Sequence, residues 1–292
     1  MNSWLNKVRA AALGGMLMLL AYPASAEDVS VLPDKSRVVA IGGAITETVF
    51  ALGEGRHLVA RDSTSLFPQE ASALPDVGYM RALSPEGVLS VQPSGIIALQ
   101  GSGPKEAVEV LKKASVPYVE VPERYDREGI LERIRIVGRA LGVDDKASVL
   151  AAEIDGKLRA AEARSAALKK RVRVLFILSM QGGKILAAGT DTAADGIMRL
   201  AGATNSIDGF SGYKQLSDEA VISAAPDAIL VMDGGGAPIS DEMLFSNAAI
   251  GQTPAGSARR VIRMDGSYLL GFGPRTADAI RDLADALYGK SG

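Results

Sequence analysis

Short β-branched runs and stretches with a three- to four-residue apolar step take turns along this chain. RVVAIGG (37–43) is an apolar run that stops on two glycines, and AITETVFALG (44–53) follows with helical spacing and Gly53 as its stop. HLVARD (57–62), GIIALQ (95–100) and PYVEV (117–121) predict strands, while PKEAVEVLKKAS (104–115) and REGILERIRIVGRALG (127–142) predict amphipathic helices. The order then restarts. RVRVLFIL (171–178), DAILVM (227–232) and RRVIRM (259–264) predict strands; TAADGIMRLAGA (192–203) and RTADAIRDLADALYG (275–289) predict helices. Such alternation predicts an α/β fold of two lobes with mostly parallel sheets.

Between the halves, residues 146–171 contain no proline and one glycine, with apolar or alanine positions at helical steps. They predict a single helix of about 25 residues, roughly 37 Å long by its rise per residue. The expected division is therefore an N-terminal lobe over 27–145, a linker helix over 146–171 and a C-terminal lobe over 172–292.

A repeat supports the two lobes. LSPEGVLSVQPSGIIAL starts at Leu83 and LSDEAVISAAPDAILVM at Leu216, with Leu, Ser, Glu, Val, Ser and Pro at matching offsets. Ser84 and Ser217 are suited to cap their helices, with Pro85 at the first helical position of one copy. Glu86 and Glu219 then fall in the first turn, where the helix dipole favours an acid. Each is a good first-turn residue for stability alone; as a pair they also offer equivalent charges to a two-fold partner.

The first 26 residues read as an address. A start with Lys7 and Arg9, an apolar run of about 12 residues and Ala24-Ser25-Ala26 predict a signal peptide cut after Ala26. That run is well short of the roughly 20 residues that span a bilayer, so the cleaved chain is expected to be exported and not embedded in a membrane. Cleavage removes two basic residues and no acid, moving the formal charge from −2 to −4. Nothing there gives the basic face that nucleic acid requires. The chain has no cysteine and one histidine.

Those counts narrow the chemistry. A Ser-His-Asp triad needs a histidine, and His57 sits between a turn and a strand. GFSGY has the wrong spacing for a nucleophile elbow, and IGGAIT does not make a dinucleotide fingerprint. A zinc or manganese site would need several His, Asp or Glu ligands brought together. No enzyme is expected. One unusual pairing remains: Tyr79 and Arg81, two apart, just ahead of the first repeat helix. A second tyrosine, Tyr213, stands with Lys214 just ahead of the other. Tyr118, Tyr125, Tyr268 and Tyr288 carry no partner pattern and read as structural.

An exported two-lobed α/β chain with one helix between the lobes resembles the periplasmic substrate-binding proteins of ABC importers. It resembles in particular the rigid class of vitamin B12, siderophore and haem carriers. Residues 60–98, ARDSTSLFPQEASALPDVGYMRALSPEGVLSVQPSGIIA, and 212–230, GYKQLSDEAVISAAPDAIL, are similar to the haem-binding proteins of bacterial haem uptake. The resemblance implies two Rossmann-like lobes joined by a rigid helix, with ferric haem as transported ligand in the cleft between them.

It implies Tyr79 as the axial ligand of the haem iron and Arg81 as the hydrogen-bond donor to its oxygen. Tyrosinate is a known haem ligand, and iron together with a guanidinium favours the deprotonated phenol. In an extended segment residues i and i+2 share a side, which lets Arg81 reach Tyr79. Some members supply a facing histidine from the second lobe's first loop. Here that stretch reads SMQGGKILAAG, so five-coordinate haem is expected, with Met180 a poor match as sixth ligand. Arg61, Lys214 and Arg275 are candidate propionate contacts, and Tyr213 a candidate for the cleft. Glu86 and Glu219 are implied to dock on arginines of the two permease subunits, with an outer-membrane haem receptor supplying the ligand upstream. The alternative is a carrier for a ferric siderophore or a corrinoid in the same transporter class.

Overall fold

The computed structural model describes residues 31–234 and 237–290; the expected signal peptide lies outside them. The first lobe is one sheet of four parallel strands: β1 (Val38–Ile41), β2 (Leu58–Arg61), β3 (Gly95–Leu99) and β4 (Tyr118–Val121), in the order β2-β1-β3-β4. Every residue of β1 and of β3 is buried. That explains why both read as continuous apolar runs: a parallel sheet is covered on both faces. The crossovers carry α1 (Gly43–Ala51), α2 (Pro85–Ser90) and α3 (Lys105–Lys113), and α4 (Arg127–Ala140) closes the lobe.

The linker helix α5 spans Asp144–Ala166, with Asp144 and Asp145 in its first turn. It begins two residues earlier and ends five earlier than the predicted 146–171, leaving 167–172 as connection into the next strand. Ala147, Ala151, Ile154 and Leu158 form its buried stripe. The stripe joins a single hydrophobic cluster that runs from Leu32 in the first lobe to Leu287 near the end of the second. The lobes thus share a core rather than a bare tether.

The second lobe keeps a mostly parallel sheet, three of its five strand pairs, and adds an antiparallel arm. Its strands are β5 (Arg173–Gln181), β6 (Lys184–Ala188), β7 (Thr204–Asn205), β8 (Tyr213–Leu216), β9 (Ala228–Asp233) and β10 (Val261–Asp265), in the order β10-β9-β5-β6-β8 with β7 beside the start of β5. β10, β9, β5 and β7 pair in parallel, but β5–β6 and β6–β8 are antiparallel. The cause is SMQGGKILAAG, read above as a loop. Gly182 and Gly183 both take positive φ (56° and 78°), the backbone of a two-residue hairpin turn, and fold the chain back on itself. The remaining helices are α6 (Ala193–Leu200), α7 (Asp218–Ala224), α8 (Asp241–Ser246), α9 (Ala248–Gly251), α10 (Pro254–Ser257), α11 (Gly266–Leu270) and α12 (Thr276–Tyr288). None of the described helices is long and apolar enough to cross a membrane.

The sequence repeat is also a structural one. Ser84 caps α2 by accepting from Gly87 N, and Ser217 caps α7 by accepting from Ala220 N. A residue in the left-handed region directly before a proline follows each helix, Gln92 (φ 50°) just past the Val91 cap of α2 and Ala225 (φ 39°) as the cap of α7. The proline disfavours further α conformation in the residue ahead of it, so the chain turns there at the cost of a strained backbone. Each copy then runs into a buried strand, β3 or β9.

Two glycine exchanges should move stability in opposite directions. At Gly138 in α4, a Cβ would sit 2.2 Å from Ala147 Cβ of α5. Gly138→Ala should therefore destabilise by about 1–3 kcal/mol through overpacking, despite the helix propensity gain of about 1 kcal/mol. Ala225→Gly should stabilise by about 1 kcal/mol by relieving the left-handed strain. Denaturant midpoints of the two variants check both signs.

Candidate functional site

Parallel strands leave their carboxyl ends at one edge of each sheet, where ligands of open α/β folds bind. Here the ends of β1 and β3 in the first lobe face those of β5 and β9 in the second across a cleft of about 880 Å³. That volume lies at the upper end of the roughly 300–1,000 Å³ typical of small-molecule sites.

The first wall is made by the start of α1 and by the loop from Ser63 to Arg81, with Leu66, Phe67 and Tyr79 presenting exposed apolar surface. Two aspartates brace that loop. Asp62, fully buried, accepts from Gly42 N, from Thr64 N and Oγ1, and from the Ser65 hydroxyl. Asp76 accepts from Arg61 Nη1 (2.7 Å), Ser63 Oγ (2.9 Å) and Gly78 N (2.8 Å). Burial pushes the Asp76 carboxyl up, but the Gly78 N–H, the Ser63 hydroxyl and the Arg61 charge outweigh it and hold the group below its ordinary range.

Tyr79 and Arg81 both line the cleft, though not through an extended segment. Ala82 N donates to Tyr79 O (2.8 Å), closing a turn, so strand alternation does not set their directions. Arg81 is paired with Glu123 at 3.7 Å, over Gly101. Tyr213 joins the cleft from the opposite lobe. Burial raises its phenol, against the Thr192 hydroxyl and the Arg81 charge, while Glu123 and Tyr79 push it further up.

Three other candidates are placed elsewhere. Arg61 is buried behind the wall, held by Asp76 and the Asp62 carbonyl. Met180 is buried in β5 within the second core, paired across the hairpin with Ile185. Lys214 alternates with Tyr213 along β8 and so takes the other face, its ammonium 5.0 Å from the Phe210 ring. Among the described residues no three His, Cys, Asp or Glu side chains gather as a metal-binding group.

Several cleft residues carried no sequence signal. Tyr125, read above as structural, lines the cleft; burial raises its phenol, as do the charge of Glu123 and a hydrogen bond to its carboxylate. Glu47, Glu123 and Arg133 also line it. Glu47 of α1 crosses to the second lobe, accepting from Arg275 N (2.7 Å) and Nε (2.8 Å). The Arg275 guanidinium stacks on the Phe67 ring at 3.4 Å. Burial pushes the Glu47 carboxyl up against the pull of Arg275. Arg133 of α4 is 1% exposed and donates to the carbonyl of Phe272, a buried residue with φ 52°. Burial lowers Arg133 to about 10, with Glu123, Tyr125 and Glu132 pulling it back up. Glu47 and Arg133 together grip the strap Gly271–Arg275 at the cleft floor.

Glu86 and Glu219 stand away from the cleft, both exposed in the first turns of α2 and α7. Each carboxyl is held below the ordinary range by its own backbone N–H and by the capping serine hydroxyl. Both stay ionised at neutral pH.

The Asp76 brace makes a pH prediction. Asp76→Ala should cost about 1 kcal/mol at pH 7, the low end for a lost charge-assisted bond because the carboxyl is partly exposed. A lowered carboxyl contributes stability above its unfolded value near 3.8, and loses it as pH falls through the lower folded value. The gap between wild type and variant should thus be constant at neutral pH and close below about pH 4. Urea unfolding across pH 3–7 measures it.

Comparison with known proteins places this architecture. The solved structure of the periplasmic heme-binding protein BhuT in complex with two hemes is 41% identical, superposes with a TM-score of 0.81 and covers 86% of this chain and 97% of its own. An ABC transporter substrate-binding lipoprotein of Bacillus subtilis, YvrC, is 25% identical over 268 residues, covering 91% of this chain and 84% of its own. The vitamin B12-binding protein of Pectobacterium atrosepticum is 27% identical over 216 residues, covering 73% and 75%. The family model for periplasmic binding proteins matches residues 38–268, and the chain belongs to that family.

Proposed function

We propose that this protein captures ferric haem between its lobes in the periplasm and hands it to the permease of an ABC importer. Membership of a family of substrate-binding transport proteins supports an exported carrier rather than an enzyme. The choice of haem is carried by one observation: Tyr79 stands half-exposed on a cleft wall that Arg81 and the exposed apolar surface of Leu66 and Phe67 also line. Its oxygen is a hard anionic donor for ferric iron, and Leu66 and Phe67 are suited to a planar apolar ring system. Of the candidate propionate contacts, only Arg275 lines the cleft, where Glu47 and the Phe67 ring already hold it; Arg61 and Lys214 are engaged away from it. Tyr213 and Tyr125 complete the polar part of the wall. Delivery runs through Glu86 and Glu219, whose ionised carboxyls meet arginines of the two permease subunits. An outer-membrane haem receptor supplies the cargo upstream.

The B12-binding relative gives the second reading, a corrinoid carrier using the same lobes and the same two acids. That reading does not need Tyr79.

Absorption titration of the chain with ferric haem, beside Tyr79→Phe, tests the choice. Wild type should saturate with a tyrosinate-type ferric spectrum. Tyr79→Phe should lose that spectrum and bind more than about tenfold more weakly, since outer-shell changes alone cost 10–100-fold at metal sites. Equal binding by both overturns the ligand assignment, and saturable uptake of a corrinoid without haem binding selects the second reading. Docking is tested in vesicles containing the permease: Glu86→Ala and Glu219→Ala should each lower haem uptake while leaving the titration unchanged.

A further inference from the structure

Arg81 lines the same cleft as Tyr79 and Glu123, and only the tyrosine was legible in the sequence as its partner. Its guanidinium is 3.7 Å from Glu123, a residue that lies within electrostatic range of Tyr125, Arg133 and Tyr213. Glu123 is the sole carboxylate within ion-pair distance of Arg81 among the described residues. The pair is long, and the arginine is half-exposed, so it is weak and readily exchanged. Direct donation to an anionic phenolate makes a shorter and stronger bond.

We propose that Arg81 exchanges partners with the state of the site, and that Glu123 is the positioning residue that favours release. The inference rests on haem being the cargo and Tyr79 its ligand. In the empty cleft Glu123 holds Arg81. When iron binds, the Fe–O bond forms, the phenol proton leaves to water, and Arg81 turns from the Glu123 carboxylate to the new phenolate. On release the proton returns, the Fe–O bond breaks and Glu123 recaptures the guanidinium. No electron moves. Glu123 therefore competes with the loaded state, and neutralising it leaves Arg81 wholly to Tyr79. A glutamine there keeps the shape and removes the charge.

The test is transfer of ferric haem from the loaded protein to excess apomyoglobin, followed by stopped-flow absorption. Glu123→Gln should release haem up to about fivefold more slowly than wild type, the range of an exposed ion pair. In an Arg81→Ala background the same exchange should have little effect. Release by Glu123→Gln at the wild-type rate or faster overturns the proposal, as does undiminished slowing when Arg81 is absent. A wild type that takes up no haem removes the haem assignment and this inference with it, whereas a wild type that loads normally confines any failure to Glu123.

Discussion

The cleft depends on a strap of five residues, Gly271–Arg275, gripped by two buried charges of opposite sign from the other lobe. Glu47 takes both the backbone N–H and the guanidinium of Arg275; Arg133 donates to the carbonyl of Phe272. Neither charge has a cheap alternative, because exposing the partner would leave an ion in an apolar setting. A buried pair of this kind adds little net stability over a well-packed apolar contact. What it fixes is geometry. Phe272 is held in a left-handed conformation unusual for a bulky residue, with its ring 5.2 Å from Tyr125 in an edge-on contact. The floor of the cleft is thus set by one lobe's charges acting on the other lobe's backbone.

The walls are built differently. Asp62 and Asp76 fasten the loop that carries Phe67 and Tyr79 by satisfying its own N–H and hydroxyl groups, so the loop is rigid where its side chains are exposed. Charge around the cleft is balanced in pairs: Arg61 with Asp76 and Arg81 with Glu123 within the first lobe, and Arg275 with Glu47 between the lobes. These pairs differ in strength by their burial. The Glu47 pair is largely enclosed and structural, and the Arg81 pair is open to the cleft. Only an open pair can trade partners with a ligand at small cost.

Much of the frame was readable because it is local. Continuous apolar runs marked β1 and β3, and serine-to-glutamate spacing marked the starts of α2 and α7. The failures are all non-local. Arg61 is spent on Asp76 because a bridge pairs those two residues in parallel, a contact no spacing reveals. Met180 was placed in a loop by the family resemblance, whereas Gly182 and Gly183 form the turn of a hairpin whose strand buries it. Glu47 and Arg133 sit on helices where an acid or a base reads as solvent-facing. Only the second lobe, absent from any local window, explains their burial. Tyr125 follows Glu123 by two residues, a spacing without meaning until Arg81, some forty residues earlier in the chain, is seen beside Glu123.

The duplicated module ties the outer surface to the cleft. In each lobe an exposed acid begins a short helix, a strained residue before proline ends it, and a buried strand carries the chain inward. β3 ends at Leu99 and β9 at Met232 and Asp233, and Leu99 and Met232 both line the cleft. Glu86 and Glu219 are thus separated from the ligand site by one helix, one fixed turn and one strand apiece. The strands are closely packed, and such elements shift as units rather than bend. The strap limits what such shifts can do at the floor, where Glu47 and Arg133 cross between lobes. Displacement of the two modules by a docked partner would therefore fall mainly on the cleft mouth, where Tyr79 and the loosely paired Arg81 stand.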